Sequence, residues 1–194
     1  MFHQGRPLTT TFADNLRFLR ALITRPKSMG AVLPSSPALA RAIARQVHPH
    51  GGPVLEVGAG TGVISEALLE RGVPADQLTL LEYDPDLARH LRNRFPQLHV
   101  IQGDAFDLDR TLGPRYAAPF GAIVSGLPLL NHPPARRRAF IEGVMGRLIP
   151  GAPLIQFSYG ATPPVPPLPG HSVMRAAMVL ANIPPAKVWV YRKS

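Results

Sequence analysis

Three acidic residues, each at or near the end of a short apolar run, are the groups in this sequence best suited to holding a ligand. Val54-Leu55-Glu56-Val57 runs into Gly58-Ala59-Gly60-Thr61-Gly62, Leu78 to Leu81 runs into Glu82, and His99 to Gln102 runs into Gly103-Asp104-Ala105. A turn with glycine at every second position lets another molecule approach the backbone closely. The next run, Val63 to Gly72, is apolar on one face and reads as a helix, whose first amides attract negative groups. That is the general plan of a nucleotide-type site at the carboxyl end of a parallel strand. Glu82 follows the turn at close to the roughly 20-residue spacing at which dinucleotide folds bind ribose hydroxyls. The dinucleotide signature Gly-x-Gly-x-x-Gly itself is not met, because the glycines fall at 58, 60 and 62.

Positioning these groups requires strands that alternate with helices. A helical segment follows each acid, and Phe120 to Ser125 predicts a fourth strand, followed by Gly126-Leu127-Pro128-Leu129-Leu130-Asn131-His132. Pro134 to Leu148 reads as a helix carrying Arg136-Arg137-Arg138, three adjacent cations expected to point different ways as a solvated patch. Leu154 to Tyr159 is a fifth strand. The loop Gly160 to Gly170 is too rich in proline for regular structure, but it is stiff and apolar. Ser172 to Leu180 and Lys187 to Arg192 fit a closing antiparallel pair. Upstream, Ser35 or Ser36 is placed to cap a helix over Pro37 to Val47. His48 to Gly52 reads as a turn whose two histidines are solvated.

Composition narrows the possibilities. At 194 residues the chain is one domain with room for an N-terminal extension, and a hydrophobic content of 45% suits a sizeable core. The absence of cysteine excludes disulfides and thiolate metal sites and fits a reducing compartment. No stretch approaches the roughly 18 apolar residues of a spanning helix, and the N-terminus lacks a signal-peptide apolar region. The net charge of +9 is concentrated early: seven Lys or Arg precede Glu56 against one acid, Asp14. Such a surface attracts polyanions, either nucleic acid or anionic lipid.

Thr11 to Thr24 reads as an amphipathic helix closed by Pro26, after a disordered start. Phe12, Leu16, Leu19 and Ile23 form its apolar stripe, Phe18 and Leu22 widen it, and Arg17 and Arg20 flank it. A helix of this kind suits a membrane interface, although such stripes also pack on domain cores. The expected division is residues 1–30 as a membrane-interaction segment and residues 31–194 as the α/β domain.

Glu-x-Gly-x-Gly-x-Gly, then Glu, then Gly-Asp-Ala resembles the class I S-adenosylmethionine-dependent methyltransferases. A closer resemblance, over about residues 12 to 192, is to the small bacterial phospholipid N-methyltransferases. It rests on Ala31-Val32-Leu33-Pro34-Ser35-Ser36, Ser125-Gly126-Leu127-Pro128-Leu129-Leu130-Asn131, Ile155-Gln156-Phe157-Ser158-Tyr159-Gly160 and Asn182-Ile183-Pro184-Pro185-Ala186-Lys187-Val188-Trp189-Val190-Tyr191-Arg192. The resemblance implies a Rossmann-like fold with a mostly parallel seven-stranded sheet closed by an antiparallel hairpin. It also implies S-adenosylmethionine as methyl donor, leaving as S-adenosylhomocysteine. The expected activity is N-methylation of phosphatidylethanolamine towards phosphatidylcholine, by a peripheral enzyme on the cytoplasmic face of the bacterial inner membrane. Some relatives of that family use ornithine lipids.

In that reading Glu56 supports the cofactor site, Gly58, Gly60 and Gly62 admit the cofactor, Glu82 grips its ribose and Asp104 lies near its adenine amine. Ser35, Tyr83, Ala105, Ser125, Gly126 and Leu127 adjoin it. Tyr159 is the first candidate to contact the lipid amine, with Asn131 and His132 next as orienting or proton-accepting groups. Phe157 and Tyr159 are candidates for holding a methylated cation, with only one of them expected on a given face of the strand. Arg136 to Arg138, Arg175 and Lys187 are candidates for lipid phosphate. Phe12, Leu16, Arg17, Phe18, Leu19 and Arg20 would meet an anionic membrane surface. No metal, nucleic-acid or obligate protein partner is expected.

The enzyme alternative is adenine N6 methylation of ribosomal RNA. Such enzymes carry Asn-(Leu/Pro)-Pro-(Tyr/Phe) after the fourth strand, where the aromatic stacks on an extruded base. Here Ser125 is read in place of the asparagine and Leu129 in place of the aromatic, giving an apolar wall. The remaining alternative is a membrane-associated binding protein without turnover, which the intact glycines and acidic strand ends disfavour.

Overall fold

A computed structural model describes residues 35–193, and the expected helix over Thr11 to Thr24, with Phe12 to Arg20, lies outside the described residues. The unit described by itself is Ser35–Ser194. Its strands are β1 (Val54–Val57), β2 (Leu78–Glu82), β3 (His99–Gln102), β4 (Ala122–Ser125), β5 (Leu154–Ser158), β6 (His171–Val179) and β7 (Ala186–Lys193). They form one seven-stranded sheet in the order β3-β2-β1-β4-β5-β7-β6. β1 to β5 run parallel, with Val57 beside Leu81 and Ser125, whereas β7 runs antiparallel to both β5 and β6. The expected architecture, an α/β Rossmann-like sheet closed by an antiparallel C-terminal hairpin, is the one observed.

The helices are α1 (Pro37–Ala44), α2 (Val63–Glu70), α3 (Pro85–Arg94), α4 (Leu108–Leu112) and α5 (Pro134–Met145). Local chemistry starts them. Ser36 Oγ accepts the Leu39 amide and Pro37 takes the first turn of α1, where proline loses no hydrogen bond. Asp84 caps α3 by accepting the amides of Asp86 and Leu87 at 2.8 and 3.0 Å. One apolar core, with Leu39, Ile43, Leu68 and Leu91, lies under α1 to α3. The other, with Ile123, Phe140, Ile141 and Trp189, lies under α4 and α5. With both faces covered, β1, β2 and β4 are buried at every position, as parallel strands require.

The chain winds outward from β1 to β3 and then returns to β4 on the other side of β1. Strand order therefore reverses between β1 and β4, and a crevice opens there at the carboxyl ends. The proline-rich loop before β6 is held rather than free. Val165 and Leu168 are buried, and the buried Tyr191 hydroxyl donates to Val165 O at 2.8 Å and accepts its N–H at 3.3 Å.

Candidate active site

Gly58, Glu82, Gly103 and Gly126 each end or follow one of four adjacent parallel strands, so the crevice is lined from one direction. Glu82 is 5% exposed. Its Oε2 accepts the Gly60 N–H at 2.8 Å and its Oε1 accepts the Asp84 N–H at 3.0 Å. Burial raises its carboxyl above the ordinary range, and these backbone donors oppose that. A carboxylate offers about four lone-pair sites, so acceptor capacity remains for hydroxyl groups above the loop. Gly60 has φ +59°, and a Cβ placed on it would meet no atom within 4 Å. Glycine is therefore required there by backbone conformation, and the space beside it is open to a ligand.

Gly126 obeys a different constraint. A Cβ there would lie 2.5 Å from Gly58 O, and the Gly126 N–H donates to Val57 O at 2.8 Å. The loops after β1 and β4 are thus pressed together, with the Leu127 side chain against Gly58. Ser125 is buried at the end of β4, its Oγ 3.4 Å from Leu127 N. Gln156 was not assigned a role in the sequence, yet it fixes this loop. From the buried middle of β5, its Nε2 donates to Leu127 O at 3.0 Å and to Phe157 O at 2.7 Å. The pairing of Ser125 with Gln156 brings it there, and a polar residue inside an apolar strand was the available signal.

Glu56 supports the site from beneath. It is fully buried, accepts the Ser65 hydroxyl at 2.6 Å, and leaves Oε1 without a hydrogen-bond partner. Burial, with a smaller push from the Glu82 charge, raises its carboxyl to about 8 against the hydroxyl's opposing pull. Glu56 is thus a neutral acid at physiological pH. Asp104 is half-buried and accepts the Phe106 N–H at 2.8 Å. Tyr83, directly after β2, is 42% exposed, and Ala105 is 7% exposed. The residues expected to hold S-adenosylmethionine, other than Ser35, thus follow adjoining strand ends. The acidic acceptor, open glycine turn and small Ala105 suit a ribose and adenine. Ser35 lies just before the α1 cap, half-buried.

The acceptor-side residues fall into two groups. Tyr159 packs with Phe157 against the α1 face, their ring centroids 5.8 Å apart. The two share a face, contrary to the expectation of opposite faces, because residues two apart on a strand point the same way. Burial raises the Tyr159 pKa, with the nearby Asn182 side chain opposing, so it remains a neutral phenol. Asn182 Oδ1 accepts the Ser36 N–H at 3.0 Å. His132 instead sits with Phe106, centroids 4.7 Å apart. Burial and then the Arg136 cation lower its pKa, with Asp104 opposing. Asn131 is exposed in the short 3-10 turn Leu129–Asn131.

The arginine triplet points three ways, as expected, with Arg136 and Arg138 exposed: Arg136 lies 4.3 Å over the Phe106 ring, Arg137 donates to Pro164 O, and Arg138 pairs with Glu142. Lys187 donates to Gly160 O at 3.0 Å, holding the β5 end rather than standing open. Leu129 is 1% exposed and is core; Leu130, at 43%, is the apolar residue facing outward. The four-residue RNA pattern, placed with Leu129 at its aromatic position, also begins at Gly126 rather than Ser125. No side chain fits at Gly126, because of the contact with Gly58 O.

The chain is similar to known proteins in both sequence and fold. Residues 54–151 match the family described as Methyltransferase domain. The chain is 33% identical over 149 residues to an ornithine lipid N-methyltransferase of Singulisphaera acidiphila, covering 75% of this chain and 78% of that one. It is 36% identical over 104 residues to ribosomal RNA small subunit methyltransferase A of Variovorax paradoxus, covering 53% of this chain but only 39% of that one. Among solved structures, TrmN from Thermus thermophilus superposes with a TM-score of 0.62 at 18% identity, over 98% of this chain and 55% of that chain. An O-methyltransferase from Bacillus cereus, solved with S-adenosylhomocysteine, gives 0.61 at 16%, over 97% and 94%. At these identities the structural likeness concerns the fold.

Proposed function

This chain belongs to the class I S-adenosylmethionine-dependent methyltransferase family, and from that premise we propose that it N-methylates the amine of a lipid head group at a membrane surface. The observation that carries this reading is the breadth of the match to the ornithine lipid N-methyltransferase. It extends over three quarters of both chains, whereas the ribosomal RNA enzyme is matched over 39% of its length. Phosphatidylethanolamine, the substrate the sequence motifs suggest, and ornithine lipid both present a primary amine. The first stays the leading substrate, with phosphatidylcholine as the direction of successive transfers, and the relative favours the second as its alternative. The setting proposed is the cytoplasmic face of an anionic bacterial membrane.

The cofactor supplies an electrophilic sulfonium methyl, so this chain's residues need chiefly to align acceptor and donor, an effect that reaches about 7–11 kcal/mol in favourable systems. Glu82 and the Gly58 to Gly62 turn hold the donor, and the Gln156-fixed loop Ser125 to Leu127 borders the place of transfer. A lipid ammonium has no lone pair and must release a proton before it attacks. Tyr159 is a neutral phenol and serves to orient the amine rather than to deprotonate it. His132, kept neutral by burial and by Arg136, has the protonation state of a proton acceptor, and Asn131 lies next to it on the rim. Adenine methylation is disfavoured because the loop has neither an amide side chain at 126 nor an aromatic at 129.

The test offers the full chain labelled S-adenosylmethionine with vesicles of phosphatidylethanolamine, vesicles of ornithine lipid, or ribosomal RNA. Label is expected in lipid, and mass spectrometry counts the methyls added. Label in RNA alone would overturn the reading.

A further inference from the structure

We propose that the β6–β7 turn is a membrane-inserting wedge that carries the site against anionic lipid, a contact made by the folded domain itself; it rests on the lipid reading above. The placement follows from strand direction. β7 runs antiparallel to β5, with Lys187 beside Ser158 and Ala186 beside Val179. The turn Leu180 to Pro185 therefore projects from the same end of the sheet as Tyr159 and the crevice. At that turn Ile183 is 73% exposed and Leu180 70%, with Met178 just before it at 52%. These are large apolar side chains in water at a protruding tip, and such a patch marks an interaction surface.

The flanking charge identifies the occupant. Met178 and Leu180 share a shallow groove with Arg41 of α1 and Arg45, its C-cap, and both arginines are exposed. Neither residues 35–53 nor residues 143–193 contain an aspartate or glutamate. Apolar side chains flanked by two arginines suit an anionic bilayer, where the tip enters the hydrocarbon boundary and the arginines remain at head-group level. A second copy of the chain paired symmetrically would set these cations against each other. Continuation of the sheet along β6 is also opposed by the register shift between Arg175 and Ala177 and by the Arg175 charge, devices that blunt edge strands.

The wedge is joined to the site. Asn182 lies within the turn, buried; its Oδ1 accepts the Ser36 N–H at 3.0 Å, its Nδ2 donates to Pro184 O at 2.8 Å, and its side chain lies close enough to the Tyr159 hydroxyl to influence its pKa. A bilayer holding Leu180 and Ile183 thus lies beside the residue that orients the amine.

The absence of cysteine allows a direct test in the full chain. Ile183→Cys is labelled with an environment-sensitive fluorophore and mixed with phosphatidylglycerol vesicles. Its emission should shift to the blue, whereas a label at Asp76→Cys, before β2 at the opposite end of the sheet, should not shift. Leu180→Asp combined with Ile183→Asp should lower vesicle partition and methylation of vesicle lipid by about tenfold or more. Methylation of a short-chain monomeric aminolipid should be unchanged. A label at 183 that stays water-like while the chain sediments with vesicles overturns the wedge, as does a shift produced by RNA and not by vesicles. Insertion at 183 without methyl transfer to any aminolipid overturns the function reading and leaves the membrane contact standing.

Discussion

The half of the molecule built on β1 to β3 and the half after β4 are held together differently. Around the site in the first, side chains meet backbone across adjoining strand ends and short turns, Glu82 with Gly60 and Asp84, Asp104 with Phe106, Asp84 with the start of α3, while Arg94 reaches Thr61 O and Glu66 on the surface. In the second, side chains distant in sequence reach across the fold: Trp189 to Ser158, Tyr191 to Val165, Asn182 to Ser36, Arg137 to Pro164. The donor half thus depends on backbone geometry that a few local residues dictate. The acceptor half depends on a tertiary assembly, and perturbing one should leave the other measurable.

Glu56 gives the largest break in this contrast, because it affects folding without touching a ligand. Its carboxyl titrates at about 8 in the folded chain against an ordinary 4.5. The folded state keeps a proton that the unfolded state has already released, so the stabilisation is complete below 4.5 and is lost as pH rises through about 8. The slope approaches about 1.4 kcal/mol per pH unit. Urea unfolding at about pH 5 and about pH 7.5 should show the wild type weakening by about 3 kcal/mol. Glu56→Gln should weaken far less, with a residual slope from Glu82, whose carboxyl is raised in the same sense. Equal slopes in both proteins would remove Glu56 as the cause.

Glu82→Ala is next. Loss of a buried carboxylate offering charge-assisted hydrogen bonds should weaken S-adenosylhomocysteine binding by about 10- to 100-fold, or about 1.5–3 kcal/mol. Tyr159→Phe should leave that affinity within about twofold while lowering kcat several-fold, since roughly 1 kcal/mol of orientation is removed. Calorimetry and steady-state kinetics separate the two. Should Tyr159→Phe weaken cofactor binding as much as Glu82→Ala does, the division into donor and acceptor halves fails.

The same contrast explains what was legible in the sequence. Glu82, Asp104 and the glycine turn could be found because strand, acid and turn are consecutive residues, and their roles follow from where parallel strands end. The closing hairpin was legible from its two apolar runs. Gln156, Asn182 and Tyr191 were not assigned their tasks, because the partners, Leu127, Ser36 and Val165, are brought near only by folding. In the arginine triplet the tertiary contacts, Arg136 with Phe106 and Arg137 with Pro164, were hidden for the same reason, whereas Arg138 pairs locally with Glu142.

Two changes in the acceptor half sharpen the comparison at its smaller end. Tyr191→Phe removes the hydroxyl that serves both polar groups of Val165. Its pKa, pushed up to about 12 by burial, keeps it protonated as a donor at every working pH. Leaving Val165 N–H and C=O unserved in a buried place should cost about 1–3 kcal/mol in urea unfolding and expose the proline-rich loop to protease. Arg138→Ala breaks a contact of a different kind, a bridge to Glu142 one helical turn away with both side chains about half exposed (58% and 49%). Solvent screens such a pair, so its loss should change stability by no more than about 0.5 kcal/mol. A tertiary hydrogen bond that outweighs a charged but local pair is what an assembly built across the chain requires. The reverse ranking would mean that this half, too, is held by local contacts.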